Sequence, residues 1–84
     1  MYEIIFDPIA IEFLEKSEKQ LAKRILDKIL STKENPRHFF ERLSSRGDYK
    51  LRIGDYRVIA DIDDNKKRIE ITLIGHRKNV YQDI

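Results

Sequence analysis

The sequence predicts an α+β fold, with the helices early in the chain and most of the strands late. Three observations point to it. A short alternating run, Tyr2 to Phe6, opens the chain, and apolar residues then recur every three or four positions from Pro8 to about Lys33. From Tyr49 onward, apolar and polar residues alternate in three further runs. The expected architecture is an N-terminal strand, a helical hairpin and a three-stranded antiparallel C-terminal segment, with the helices packed on one face of the sheet. At 84 residues the chain has room for one domain, residues 1–84, and with no cysteine its stability must come from packing.

In the first strand Tyr2, Ile4 and Phe6 share a face. Asp7 and Pro8 then suit a helix start, because an N-cap aspartate can accept an orphan N–H and proline at the first helical position has none to leave unpaired. Ile9, Phe13, Leu14, Leu21, Ile25, Leu26, Ile29 and Leu30 form one apolar stripe interrupted near Ser17. Ser17 to Gln20 reads as a capping box that starts a second helix. Asn35 and Pro36 end that helix, since a residue before proline avoids the helical region. Phe39, Phe40 and Leu43 are expected to anchor the connection that follows, and Ser44 to Asp48 to form a turn.

The stretch Leu51 to Val58, LRIGDYRV, reads as a hairpin turning at Gly54 and Asp55. That register sets Ile53 opposite Tyr56, Arg52 opposite Arg57 and Leu51 opposite Val58. Tyr49, Leu51 and Ile53 then face one side of the sheet with Tyr56, Val58, Ala60 and Ile62, while Lys50, Arg52 and Arg57 project from the other. Two guanidinium groups directly opposed cost roughly 0.2–1 kcal/mol in water, a cost that a bound polyanion removes. Ile69, Ile71 and Leu73 are expected to share the buried face of the last strand, with Asp63 to Lys67 as the loop before it.

Charge is unevenly divided along the chain. Residues 1–34 hold six Lys/Arg against seven Asp/Glu, a net of −1, and residues 35–84 hold eleven against eight, a net of +3. The tail adds His76, Arg77, Lys78 and Tyr81 just beyond the last strand, where a guanidinium suits phosphate and a phenol can stack on a base or carry a proton. Metal chemistry is not indicated. Asp61, Asp63, Asp64 and Asn65 lack the glycine and glutamate of a calcium loop and read as turn residues, and His38 and His76 have no cysteine or spacing that suggests zinc. No cofactor is expected. The N-terminus has no basic region followed by an apolar run, and no stretch is long enough to cross a membrane as a helix, so a cytoplasmic protein without a membrane partner is expected.

The run Tyr49 to Ile59, YKLRIGDYRVI, followed by a strand and then Gly75 to Tyr81, GHRKNVY, resembles the RelE/ParE superfamily of toxins from toxin–antitoxin pairs. The resemblance spans essentially the whole chain and is closer to the RelE branch. It implies a ribosome-dependent mRNA endonuclease that enters the ribosomal A site, activates a ribose 2′-hydroxyl against the adjacent phosphate without a metal, and is neutralised by a cognate RelB-like antitoxin. By position it assigns Lys50 and Arg52 to phosphate binding or proton transfer. Arg57 and Arg77 would stabilise charge on the attacked phosphate, and Tyr81 would stack on a base or assist the 2′-hydroxyl. His76 and Lys78 join the expected RNA-binding set. Arg52 stands where founding members have lysine, and the interval from Arg77 to Tyr81 is shorter than theirs. The alternatives are a ParE-like inhibitor of DNA gyrase and a catalytically inactive member that keeps only the antitoxin-binding fold.

Overall fold

The computed structural model describes residues 1–43 and 48–80. Strand β1 (Glu3–Phe6) leads into helices α1 (Pro8–Lys16) and α2 (Lys19–Leu30). A short helix α3 (Pro36–Phe39) and a two-residue strand β2 (Glu41–Arg42) follow, then β3 (Tyr49–Ile53), β4 (Tyr56–Asp63), β5 (Arg68–His76) and a terminal turn of helix α4 (Arg77–Val80). One sheet in the order β1-β5-β4-β3-β2 collects all five strands. Its pairs are antiparallel except for β1, which runs parallel to β5. The expected α+β architecture is therefore present, extended by α3, β2 and α4.

Proline and helical spacing act locally as expected, with three differences. Pro8 occupies the first turn of α1, but the Asp7 side chain caps nothing and instead lies beside the carboxyl of Glu70 on β5. Ser17 is not a capping-box residue. It ends α1, donating its hydroxyl to the Phe13 carbonyl at 2.6 Å, and Glu18 takes the N-cap position of α2. The joint is so short that one hydroxyl serves the orphan carbonyl end of the first helix rather than the N–H end of the second. Finally, α2 stops at Leu30 and Pro36 opens α3 instead of ending α2.

The core lies between the helical hairpin and one sheet face. Ala10 of α1 and Ile25 and Ile29 of α2 cluster with Leu51, Ile53, Val58, Ala60, Ile69 and Ile71, supported by Phe13, Leu14 and Leu21. The apolar stripe is narrower than expected, because Ile9, Leu26 and Leu30 are exposed. Ala10 is fully buried, and its small side chain lets α1 approach the sheet closely. Phe40 is buried in the core, Phe39 packs against its edge and Leu43 is half-buried. Of the expected turn at 44–48, residues 44–47 lie outside the described residues; a backbone bond from the Leu43 N–H to the Asp48 carbonyl, 2.7 Å, spans it.

One irregularity changes a strand's faces. Ile59 pairs with Leu73 but Ala60 pairs with Ile71, so Thr72 is an extra residue in β5. Its hydroxyl donates to the Ile59 carbonyl at 3.2 Å. A bulge of this kind reverses the alternation beyond it. Leu73 therefore leaves the helix-packed face on which it was expected, and Ile74 takes its place in the core.

Candidate functional site

The hairpin turn sets the geometry of the basic face. Gly54 sits at φ +58°, a left-handed conformation that glycine adopts freely, and the register beyond it pairs Ile53 with Tyr56, Arg52 with Arg57 and Leu51 with Val58. Because Leu51, Ile53 and Val58 are buried under the helices, alternation turns Lys50, Arg52 and Arg57 to the other face. Arg57 in turn pairs with Gly75 on β5, which has no side chain to cover it.

Arg57 is the most confined of these cations, only 8% exposed. Its Nη1 donates to the carbonyls of Gly54 and Tyr56, both at 2.9 Å, so the guanidinium is fixed against the turn that brings Arg52 opposite it. Arg52 is exposed. Lys50 is half-buried and paired with Glu41, its register partner on β2, at 3.8 Å. Arg24 of α2 leans over the same turn, with its Nη2 2.5 Å from where a Cβ on Gly54 would stand.

Lys50, Arg52 and Arg57 line a cleft of about 350 Å³ together with Lys28, His38 and Phe39. The last three were not recognised as site residues in the sequence. Lys28 stands 5.1 Å from the Phe39 ring centre, and His38 meets the same ring edge-on at 5.0 Å. An aromatic face flanked by a cation and an imidazole, beside three more cations, is suited to a nucleotide or another planar anion. The faint signal for it was the pair His38 and Phe39 directly after Pro36, in a segment that reads only as a connection.

The tail is arranged differently from the expectation. The Arg77 N–H donates to the Asp55 carbonyl at 2.8 Å, which ties the start of α4 to the hairpin turn. Arg77 and Lys78 are exposed and do not line the cleft. His76 lies on the helix-packed side, stacked edge-on against Tyr56 at 5.5 Å, and its Nδ1 accepts the Lys78 N–H at 3.2 Å. The expected place of His76 among the phosphate-binding residues is thus corrected, for a simple reason. His76 pairs with Tyr56, and directly paired residues share a face. Tyr81 lies outside the described residues.

Two further polar groupings stand apart from the cleft. Asp64 accepts hydrogen bonds from Tyr2 Oη at 2.7 Å and Arg37 Nη2 at 2.5 Å, and Arg37 also bonds and stacks on Tyr49. The Tyr2 hydroxyl, then Arg37, hold the Asp64 carboxyl below its ordinary range. At the β1 end, Asp7 and the opposed Asp61 surround Glu70; the Asp7 hydrogen bond and charge push the Glu70 carboxyl upward. Asp63 closes the expected turn, accepting the N–H groups of Asn65 and Lys66 at 3.0 and 3.1 Å. Among the described residues no group of three or more His, Cys, Asp or Glu could hold a metal ion.

Comparison with known proteins gives the chain its context. The profile described as "ParE toxin of type II toxin-antitoxin system, parDE" matches residues 3–81. No curated protein matched. Among solved structures, the RelBE2 toxin–antitoxin complex of Mycobacterium tuberculosis aligns with a TM-score of 0.82 at 23% identity, over 90% of this chain and 98% of that one. The archaeal RelE–RelB complex of Pyrococcus horikoshii aligns at 0.77 and 25% identity, over 90% and 94%. The isolated RelE toxin of E. coli aligns at 0.77 and 18%, over the whole of both chains.

Proposed function

The chain belongs to the ParE toxin family of type II toxin–antitoxin systems, within the RelE/ParE superfamily, and from that premise we propose that it is a ribosome-dependent mRNA endonuclease. The observation that carries the reading is the row of Lys50, Arg52 and Arg57 lining one cleft with Phe39. A gyrase inhibitor needs a docking surface; a nuclease needs cations converging where phosphate charge develops, beside a surface on which a base can stack. Arg57, fixed by two carbonyls, is preorganised to stabilise a pentavalent phosphate, and Arg52 and Lys50 would hold the neighbouring phosphates. Arg77 would join them from the turn, with Lys78 outside and Tyr81 stacking on a base.

In the proposed step the ribose 2′-oxygen attacks the adjacent phosphorus and the 5′-oxygen leaves, without a metal. Ribosomal A-site mRNA is the natural substrate, because a site built almost wholly of cations gains most when another machine holds the reactive geometry. A RelB-like antitoxin, the partner named in the M. tuberculosis and P. horikoshii complexes, would neutralise the toxin, and both would act in the cytoplasm.

The test is induced expression with mapping of transcript 5′ ends. New ends inside ribosome-bound codons are expected, and are expected to vanish in Arg57→Ala and Arg77→Ala while the fold persists. The ParE profile match favours one second reading, inhibition of DNA gyrase. Continued translation with failing supercoiling would establish it instead.

A further inference from the structure

We propose that His38 is the general base that takes the proton from the ribose 2′-hydroxyl in this cleft, an assignment that rests on the nuclease reading above. The argument is one of protonation states. A base must be unprotonated at neutral pH, and the guanidinium groups of Arg52 and Arg57 never are. The ammonium groups of Lys28 and Lys50 are ordinarily charged there as well, and Lys50 has Glu41 beside it at 3.8 Å. Only Glu41 and His38 then offer a basic lone pair at the cleft. Glu41 is the register partner of Lys50 and is occupied by it.

His38 is differently placed. Its imidazole lines the cleft with Arg52 and Arg57 and is exposed, so a substrate can reach it. Its ring is oriented by the edge-on contact with Phe39, at an interplanar angle of 89°. The helix that carries it is pinned at both ends, by buried Pro36 and buried Phe40. Arg37, the adjacent cation on α3, is turned to Tyr49 and Asp64. The charged groups that line the cleft with the imidazole are Lys28 from α2, Glu41 from β2, Lys50 and Arg52 from β3 and Arg57 from β4.

In the step, the imidazole nitrogen accepts the 2′-proton, the 2′-oxygen forms a bond to phosphorus and the bond to the 5′-oxygen breaks. The departing oxygen takes a proton from water. The products are a 2′,3′-cyclic phosphate and a 5′-hydroxyl end, and the imidazolium returns its proton to solvent.

The test is single-turnover cleavage of mRNA on programmed ribosomes by the full-length toxin, from pH 5.5 to 8.5. An imidazole base predicts a rate that falls on the acid side, through the interval in which histidine changes charge, between about pH 5 and 8. His38→Asn is expected to lower the plateau roughly 10²–10⁴-fold and to abolish the acid limb. Added imidazole should restore part of the rate to His38→Ala. His38→Gln serves as a second variant, and thermal unfolding checks that each variant folds. Retention of the acid limb in His38→Asn, or its loss in Glu41→Gln instead, would overturn the assignment. Wild-type toxin that cuts no ribosomal mRNA would overturn the nuclease reading and this one with it; wild-type cleavage with unaltered His38 variants would overturn this one alone.

Discussion

The opposed pair Arg52–Arg57 gives the most discriminating stability prediction, because the two arginines should shift stability in opposite directions. Replacing Arg57 by Met keeps the stem and removes the charge and both carbonyl bonds. A hydrogen bond from a charged donor contributes about 1.5–3 kcal/mol. Both bonds leave the same Nη1, so the pair is counted as one contribution, and the lower end applies, since one acceptor, Gly54, lies in an exposed turn that water reaches. Against this stands the relieved repulsion with Arg52, about 0.2–1 kcal/mol. The net cost is about 1 kcal/mol, or roughly 4–8 °C in Tm for a domain of this size. Arg52 is exposed and forms no such bonds to the turn. Arg52→Gln therefore removes only the repulsion and should raise Tm by about 1–8 °C. In a double-mutant cycle Arg57→Met should cost more in the Arg52→Gln background than in wild type, and the coupling should shrink in 1 M salt, where screening acts within about 3 Å. Thermal unfolding followed by circular dichroism reads all four chains. A fall in Tm for Arg52→Gln, or a cycle with no repulsive coupling, would refute the placement of these arginines on one face. Catalysis should part from stability: Arg57→Met is expected to lose about 10²–10³-fold in cleavage rate, as removal of a single preorganised charge stabiliser does, whereas Arg52→Gln gains stability and still loses activity.

Three further outcomes follow from the same structure. Gly54→Ala should cost about 1–2 kcal/mol in chemical denaturation, because its φ of +58° is left-handed. Gly54→Asn should cost less, and removing Arg24 should recover little, since the tip of that side chain can move aside. Glu70→Gln should raise Tm at pH 7. Its carboxyl is held above the ordinary value of 4.5 by Asp7, so ionisation strains the fold; wild type should regain the difference as pH falls toward that value. Asp64→Asn should have the opposite sign. Its folded carboxyl lies below the ordinary 3.8, so its contribution is present above that pH and lost as pH falls through the folded value. Melts from pH 3 to 8 check both, and convergence of Asp64→Asn with wild type only at the acid end is the expected pattern.

What was legible in the sequence was whatever a local period or a single turn decides. Gly54 and Asp55 fix the hairpin, the hairpin fixes the register, and the register places Arg52 against Arg57. The order of strand, helices and strands follows from periodicity in the same way. What was not legible depends on contacts across the fold. Leu73 changes face because Thr72 is an extra residue against β4, and no alternation within β5 alone reveals it. Ser17 resembles an N-cap in sequence, yet its hydroxyl finds a carbonyl one turn back before any N–H ahead. His38 and Lys28 reach the cleft only because α2 and α3 meet the β3 edge. His76 was expected just beyond the last strand, but it ends β5 and pairs with Tyr56, which sets it on the helix-packed side.

The sheet face away from the helical hairpin is divided by charge, and the division bears on regulation. At the hairpin end it gathers Lys50, Arg52 and Arg57; at the β1 end it gathers Asp7, Asp61 and Glu70. Each end tolerates like charges at close range, so neither is arranged for the greatest stability of the isolated chain. A fold that keeps such pairs at a cost has most to gain from a ligand of opposite charge, and at the basic end RNA and an acidic protein segment satisfy the same cations. Under the nuclease reading, an antitoxin that covers this end need not distort the site to silence it. Occupying the position in which phosphate charge would develop is sufficient, and the same contacts would relieve the Arg52–Arg57 repulsion and stabilise the toxin while it is held inactive.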